Sequence, residues 1–203
     1  MPKGKPTAKW LRLTEEQNAL DYLEKAHRAI QRVDAIPTEW KWVVIGLHNA
    51  LYSFGICALK GSNWELVTLK TKRGNRLIGF DETVKRVQSS SHMGFYTYSK
   101  PVVLSSPQKD AIRWFKKYRD YFEHYIPLSW SILKQDLPLF SIEILDVLRL
   151  LVLDTGNVHL TEHQCSQVSG WLKRDKQLLQ RSQLYKDYLS AIKRRRSKKK
   201  KSK

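Results

Sequence analysis

The segment that most limits what this chain can fold into is WKWVVIGLHNALYSFGICALK, residues 40–60. Trp40, Val43, Val44, Leu47, Leu51, Phe54 and Ala58 recur at the three- and four-residue spacing of a helix, and more apolar residues fill the arcs between them. A helix that is apolar around much of its circumference must be enclosed by other protein. This one is therefore the centre, and the remaining elements are expected to wrap it. Pro37-Thr38 opens it, and Gly61 closes it at the position where left-handed backbone is easiest.

The flanking sequence supplies helices to do the wrapping. Thr14-Glu-Glu-Gln17 is a capping box, and Leu20, Leu23, Ala26 and Ile30 follow at helical spacing, so a first helix runs to about Asp34. VTLKTKRGNRLIGF, residues 67–80, reads equally as a short hairpin around Gly74-Asn75 or as a loop. DETVKRVQSS, residues 81–90, reads as a short helix, and 91–105 is a long connection carrying Phe95, Tyr96 and Tyr98. Ser106 as cap with Pro107 in the first turn opens a helix reaching about Tyr125, before Pro127. Residues 128–135 add a short turn, and Ser141 caps a helix over 142–154 that Gly156-Asn157 ends. Thr161-Glu-His-Gln164 is a second capping box, opening a last helix toward Ile192. About six helices and almost no committed strand make the fold all-α, a helical bundle occupying one domain over 14–192.

Charge is concentrated at the two ends. Of the net +18, nine positive charges lie in residues 193–203 and four in residues 1–13; neither stretch holds an acid, which leaves +5 for the body. A block of like charges repels itself and buries nothing, so 193–203 is expected to be a disordered tail and 1–13 a flexible basic N-terminus. The tail's Lys193, Arg194, Arg195, Arg196, Lys198, Lys199, Lys200 and Lys201 are candidate contacts for a polyanion, RNA in the first place, through release of counterions. The plainer role for such a run is solubility.

Two cysteines, Cys57 and Cys165, both in apolar helical contexts, indicate no disulfide framework and a reducing compartment. No apolar run approaches the ~20 residues of a bilayer span, the longest lying around residues 142–153. The basic N-terminus is followed by no apolar leader core, so the expected location is the cytoplasm, with no membrane partner. His159, His163 and Cys165 cluster, but Thr161 caps a helix between the histidines and no fourth ligand is evident, so neither a metal nor a cofactor is expected.

The chemistry-bearing motif is RDYFEH, residues 119–124. An arginine followed after four to six residues by a histidine is a loose pattern. With 14 arginines and 6 histidines in the chain, about one chance match is expected, and there are two: Arg86–His92 and Arg119–His124. The first runs off its helix into serines, with Val87 after the arginine. The second lies on one predicted helix and has Asp120 after its arginine, a requirement that lowers chance matches to about 0.1. On that helix Ala111, Phe115, Tyr118, Phe122 and Tyr125 form the apolar stripe. At ~100° per residue, Arg119 and His124 stand about 140° apart, so one helix does not aim both at one atom. Two copies facing across a two-fold axis would bring two arginines and two histidines into one cleft. Asp120, four residues before His124, shares its side of the helix and is expected to orient the imidazole. Arg119–Glu123 and Lys116–Asp120 are also spaced as ordinary surface ion pairs.

RDYFEH resembles the R-x(4–6)-H signature of the HEPN superfamily, in which the residue after the arginine is commonly Asn, Asp or His. The preceding central helix, residues 40–63, and PLSWSI after the motif add to that resemblance, which covers about residues 14–160. It implies a homodimeric, metal-independent endoribonuclease, often a toxin or defence effector with a cognate inhibitor protein. In that chemistry the ribose 2′-hydroxyl attacks the adjacent phosphate and leaves a 2′,3′-cyclic phosphate. Carried onto this chain, His124 is general base or acid, Arg119 stabilises the charge on the phosphorane-like transition state, and Asp120 positions the histidine or the dimer partner. The superfamily also contains members that bind without cutting, so a non-catalytic nucleic-acid-binding or regulatory protein is the alternative.

Overall fold

The computed structural model describes residue 11, residues 13–124 and residues 131–201, the last nine as backbone alone. Tyr125 and the segment PLSWSI up to Trp130 lie outside the described residues, as does most of the N-terminal segment 1–13. About 70 % helix against 5 % strand puts the chain in the all-α class, as its periodicity predicts.

The first two helices, α1 (Glu15–Ile30) and α2 (Glu39–Lys60), start and stop close to their sequence signals. The Thr14 hydroxyl accepts the Gln17 N–H at 3.2 Å, and the Gln17 side chain accepts the Thr14 N–H at 3.0 Å. Gly61 ends α2 at φ +50, a backbone region that L side chains rarely adopt. Contacts pairing Ala26 with Gly46, Asn18 with Ser53 and Glu15 with Lys60 run in opposite sequence directions, so the two helices are antiparallel. They approach closely because Gly46 has no side chain; a Cβ there would stand 2.9 Å from that of Ala26.

Val43, Val44, Leu47, Ala50, Phe54 and Ala58 of α2 are all buried to within about 1 %. An 18-residue stretch of this helix has a mean hydropathy of 1.5, and 72 % of that stretch is buried. By length and composition α2 would therefore reach across a bilayer, which corrects the expectation that no apolar run approaches that length. Most of its apolar surface is covered by its neighbours in the bundle, Trp42 being the large residue left exposed.

Residues 67–80 resolve in favour of a hairpin, β1 (Thr68–Thr71) and β2 (Gly74–Leu77), antiparallel with Thr71 opposite Gly74. The turn is therefore Lys72-Arg73, and Gly74, at φ +109, opens the second strand rather than forming the tip. Two short helices follow, α3 (Phe80–Arg86) and α4 (Ser90–Met93). Next comes α5 (Ser106–Glu123), whose capping box belongs to Ser105 and Gln108, one residue earlier than expected. It ends at Glu123, with His124 as its C-cap, a little short of the expected Tyr125.

A three-residue turn (Lys134–Asp136) leads into α6 (Leu137–Arg149), which a wider π-type turn, Leu150–Asp154, prolongs. Pro138 in the first turn starts α6, so Ser141 is no cap but a fully buried mid-helix residue. The long final helix breaks into α7 (Glu162–Arg181) and α8 (Gln183–Lys201). At the break the Ser182 hydroxyl donates to the Leu179 carbonyl and accepts from the Tyr185 N–H, competing with the helical ladder. The backbone of α8 continues as helix to Lys201, where disorder was expected; lysine and arginine are good helix formers, and no Gly or Pro interrupts them.

Two buried polar contacts fasten the periphery to the core. Asn157, 1 % exposed, donates from Nδ2 to the Ala58 carbonyl at 3.2 Å and the Met93 carbonyl at 2.8 Å. His27 of α1 meets Asp175 of α7 at 2.6 Å. Burial pushes the Asp175 carboxyl pKa up, and the hydrogen bond from His27 opposes it.

Candidate functional site

The C-terminal half of α5 is positioned by Ala111, Ile112, Phe115 and Tyr118, which bury against α2 and α6. That packing turns Arg119 toward the first helix pair. Its side chain is 26 % exposed and faces a cavity of about 330 Å³. Asn18 and Tyr22 of α1, Asn49, Tyr52 and Ser53 of α2, and Arg119 and Glu123 of α5 line it. The Asn18 amide donates to the Ser53 hydroxyl at 3.3 Å, and the Tyr52 hydroxyl donates to the Ile78 carbonyl at 2.5 Å. Burial raises the Tyr52 phenol pKa, with the Arg76 and Arg119 cations opposing, so Tyr52 is a neutral donor at physiological pH.

The guanidinium is already engaged by carboxylates. Arg119 Nη1 donates to Asp120 Oδ1 at 2.9 Å. Arg119 Nε is buried and 3.2 Å from Glu123 Oε2, close enough for an ion pair but out of line for a hydrogen bond. The expected Arg119–Glu123 pair therefore forms. The expected Lys116–Asp120 pair does not, because Lys116 reaches across to Asp81 of α3 at 2.5 Å.

His124 is the C-cap of α5, at φ −108 and ψ 56, rather than a residue within the helix, and it is exposed. Its N–H donates to the Asp120 carbonyl at 2.9 Å. The Asp120 side chain goes to Arg119, so it does not orient the imidazole. No contact among the described residues joins Arg119 to His124, in keeping with their opposite placement around the helix axis. Of the tail residues, 193–196 and 198–201, only the backbone is described, as the end of α8.

The control motif is built differently. Arg86 holds Glu82 at 2.7 Å and the Leu66 carbonyl at 2.8 Å, while His92 bonds Ser89 at 3.1 Å. Both side chains have local structural partners.

In the sequence, His48-Asn49 on the second helix is a candidate to reach the same cleft as His124, a hydrogen-bonded core histidine being the plainer reading; Tyr52-Ser53, four residues on, was missed, and that spacing in a helix otherwise so apolar was the available signal. Asn49 reaches the Arg119 cavity; His48, 1 % exposed, stacks on Phe80 at 4.1 Å and lies 3.0 Å from Asn49 Oδ1 through Nδ1. Burial is the main cause that lowers the His48 pKa to about 4, the Asn49 hydrogen bond opposes it, and the Arg119 cation adds to the fall. The ring is neutral at physiological pH. His159, considered above as a metal ligand, instead has its Nε2 3.3 Å from the Tyr96 hydroxyl. Compared with family models, curated proteins and solved structures, this chain matches none of them.

Proposed function

We propose that this chain is an RNA-binding helical protein that cleaves RNA without a metal, as a HEPN-type endoribonuclease whose active cleft is completed by a second copy. The observation that carries the reading is Arg119: its Nε is buried with no hydrogen bond, it borders a polar cavity, and its helix ends five residues later at an exposed histidine. Within one chain these two groups diverge, so the reaction needs Arg119 and His124 contributed around a two-fold axis.

In that cleft the 2′-oxygen forms its bond to phosphorus while the bond to the 5′-oxygen breaks. His124 takes the 2′-hydroxyl proton as base, or returns a proton to the departing 5′-oxygen as acid. Arg119 exchanges Glu123 for a phosphate oxygen and offsets the charge gathered on the phosphorane. Asp120, bonded to Arg119, holds the guanidinium in place. The basic end of α8 supplies sequence-independent attraction for phosphates. An enzyme of this type acts as a toxin or defence effector and calls for an inhibitor protein.

One observation favours a second reading. Arg119 is held by two carboxylates, and no described side chain orients the His124 ring. A protein arranged so would bind RNA and leave it intact. Incubating the full chain with mixed RNA in chelator separates the two: the enzyme reading expects cyclic-phosphate ends that vanish in both Arg119→Ala and His124→Ala. RNA bound but uncut by the wild-type chain favours the binder, and cutting that persists in both variants removes these residues from the site.

A further inference from the structure

The charge of the body is unevenly spread. Of its net +5, residues 68–77 contribute +4, from Lys70, Lys72, Arg73 and Arg76 with no acid among them. All four stand exposed on the β1–β2 hairpin. Cations elsewhere on the surface meet carboxylates, as Lys25 meets Asp21 and Lys116 meets Asp81. None of these four does so among the described residues. The undescribed parts, residues 1–10, 12 and 125–130 and the side chains of 193–203, contain no Asp or Glu that could pair with them.

The root of the hairpin is fixed. Ile78, fully buried, donates its N–H to the Val67 carbonyl at 2.9 Å, and its own carbonyl accepts the Tyr52 hydroxyl at 2.5 Å. The Arg86 guanidinium holds the Leu66 carbonyl at 2.8 Å. Leu77 borders the Arg119 cavity, and at ~3.4 Å per residue Gly74 stands about 10 Å further out. The hairpin is thus a short arm rising from the edge of that cavity, with Lys72-Arg73 at its turn.

We infer that this arm grips the phosphates of the RNA strand that runs past the Arg119 cavity, through Lys70, Lys72, Arg73 and Arg76. The inference rests on the reading above that the chain binds RNA, and assigns a second set of contacts to it. Unpaired cations on an anchored arm need little ordering to meet a polyanion, which displaces their counterions. Register places Lys70 with Asn75 on one face of the ribbon and Arg76 with Leu69 on the other, so the charges surround the arm instead of lining one side. A strand can bend around such an arm; a flat anionic surface would meet one face of it. The exposed Trp64, Leu66, Leu69 and Leu77 lie toward the root and the cations toward the turn, the reverse of an arm that dips an apolar end into a bilayer. Another copy of this basic chain is a poor partner for it by charge.

The test uses the full chain and 2′-O-methyl oligouridine, which lacks the attacking hydroxyl and so survives any cleavage. Fluorescence anisotropy across a salt series reads binding. Changing Lys70, Lys72, Arg73 and Arg76 together to Gln should flatten the slope of log affinity against log salt by about 3, at ~0.7 per phosphate contact on a single strand. Changing Lys100, Lys109, Lys173 and Lys186 to Gln removes the same charge elsewhere on the exposed surface and should flatten it by less than about 1. Arg73→Lys with Arg76→Lys should keep the wild-type slope, because the charge is retained. Thermal melting screens the variants; if the fourfold arm variant melts early, Lys72→Gln with Arg73→Gln at the turn carries the test, with a change of about 1.4.

Equal flattening by the arm and control variants, or none by the arm variant, overturns the grip while leaving RNA binding in place. Sedimentation with phosphatidylserine vesicles that depends on the arm, at an unaltered RNA slope, also overturns it and assigns the arm to a lipid surface. A wild-type chain that does not bind the oligouridine defeats both this inference and the proposed function.

Discussion

Acidification should destabilise this protein through a buried neutral histidine at its centre. His48 is enclosed by the bundle, stacked on Phe80, and held to a pKa of about 4 against an ordinary value of 6.5. The unfolded chain therefore binds a proton between those values that the folded chain refuses. His48 imposes no penalty above pH 6.5; as the pH falls from there toward 4, the folded state is progressively disfavoured. At ~1.36 kcal/mol per pH unit the loss is about 3 kcal/mol, a large part of the 5–15 kcal/mol typical of a domain. Carboxylates titrate over the same range, so the measurement is differential: urea unfolding followed by circular dichroism from pH 7 to pH 4, for the wild type and for His48→Gln, whose amide does not titrate. His48→Gln costs stability at every pH through lost stacking, but its curve should fall about 3 kcal/mol less. Parallel curves would refute the argument, and so would an imidazole resonance for His48 that titrates near 6.5.

Three other outcomes are expected. Asn157→Ala strips the Ala58 and Met93 carbonyls of a buried donor and should lower the unfolding free energy by about 2 kcal/mol, read as an earlier urea midpoint with unchanged slope. Burial pushes the Cys57 thiol up to about 12, so a thiol reagent at pH 8 should leave Cys57 unmodified in the folded chain while half-buried Cys165 reacts; the second equivalent should appear only in denaturant. Removing residues 193–203 deletes nine cations, and if all meet phosphates the slope of log affinity against log salt should flatten by about 6 for single-stranded RNA, while helix content and melting of residues 14–192 hold.

Much of the architecture could be read one residue at a time. The capping boxes at Thr14 and Thr161, the stop at Gly61 and the apolar girth of α2 depend on neighbours within four positions, and each lies where its local chemistry put it. The places where local reading slipped are those with two competing signals. Ser105 took the cap from Ser106 because Gln108 completes its box, Pro138 started α6 ahead of Ser141, and Ser182 cut the last helix with a hydroxyl that prefers backbone partners. The hairpin lay in the balance because its strands are only four residues long and largely exposed, so alternation left little trace.

By itself the sequence determined an all-helical chain built around α2, because periodicity and capping act within a turn or two. Only the tertiary structure decided what each side chain meets. It set Arg119 against Asn49 and Glu123 at a cavity, sent Lys116 to Asp81 instead of Asp120, sealed His48 under Phe80, and joined His27 to Asp175 across 148 residues. Helical spacing sets the direction a residue points; the packing of whole helices sets what stands opposite it, and that is a sum over contacts no local window contains.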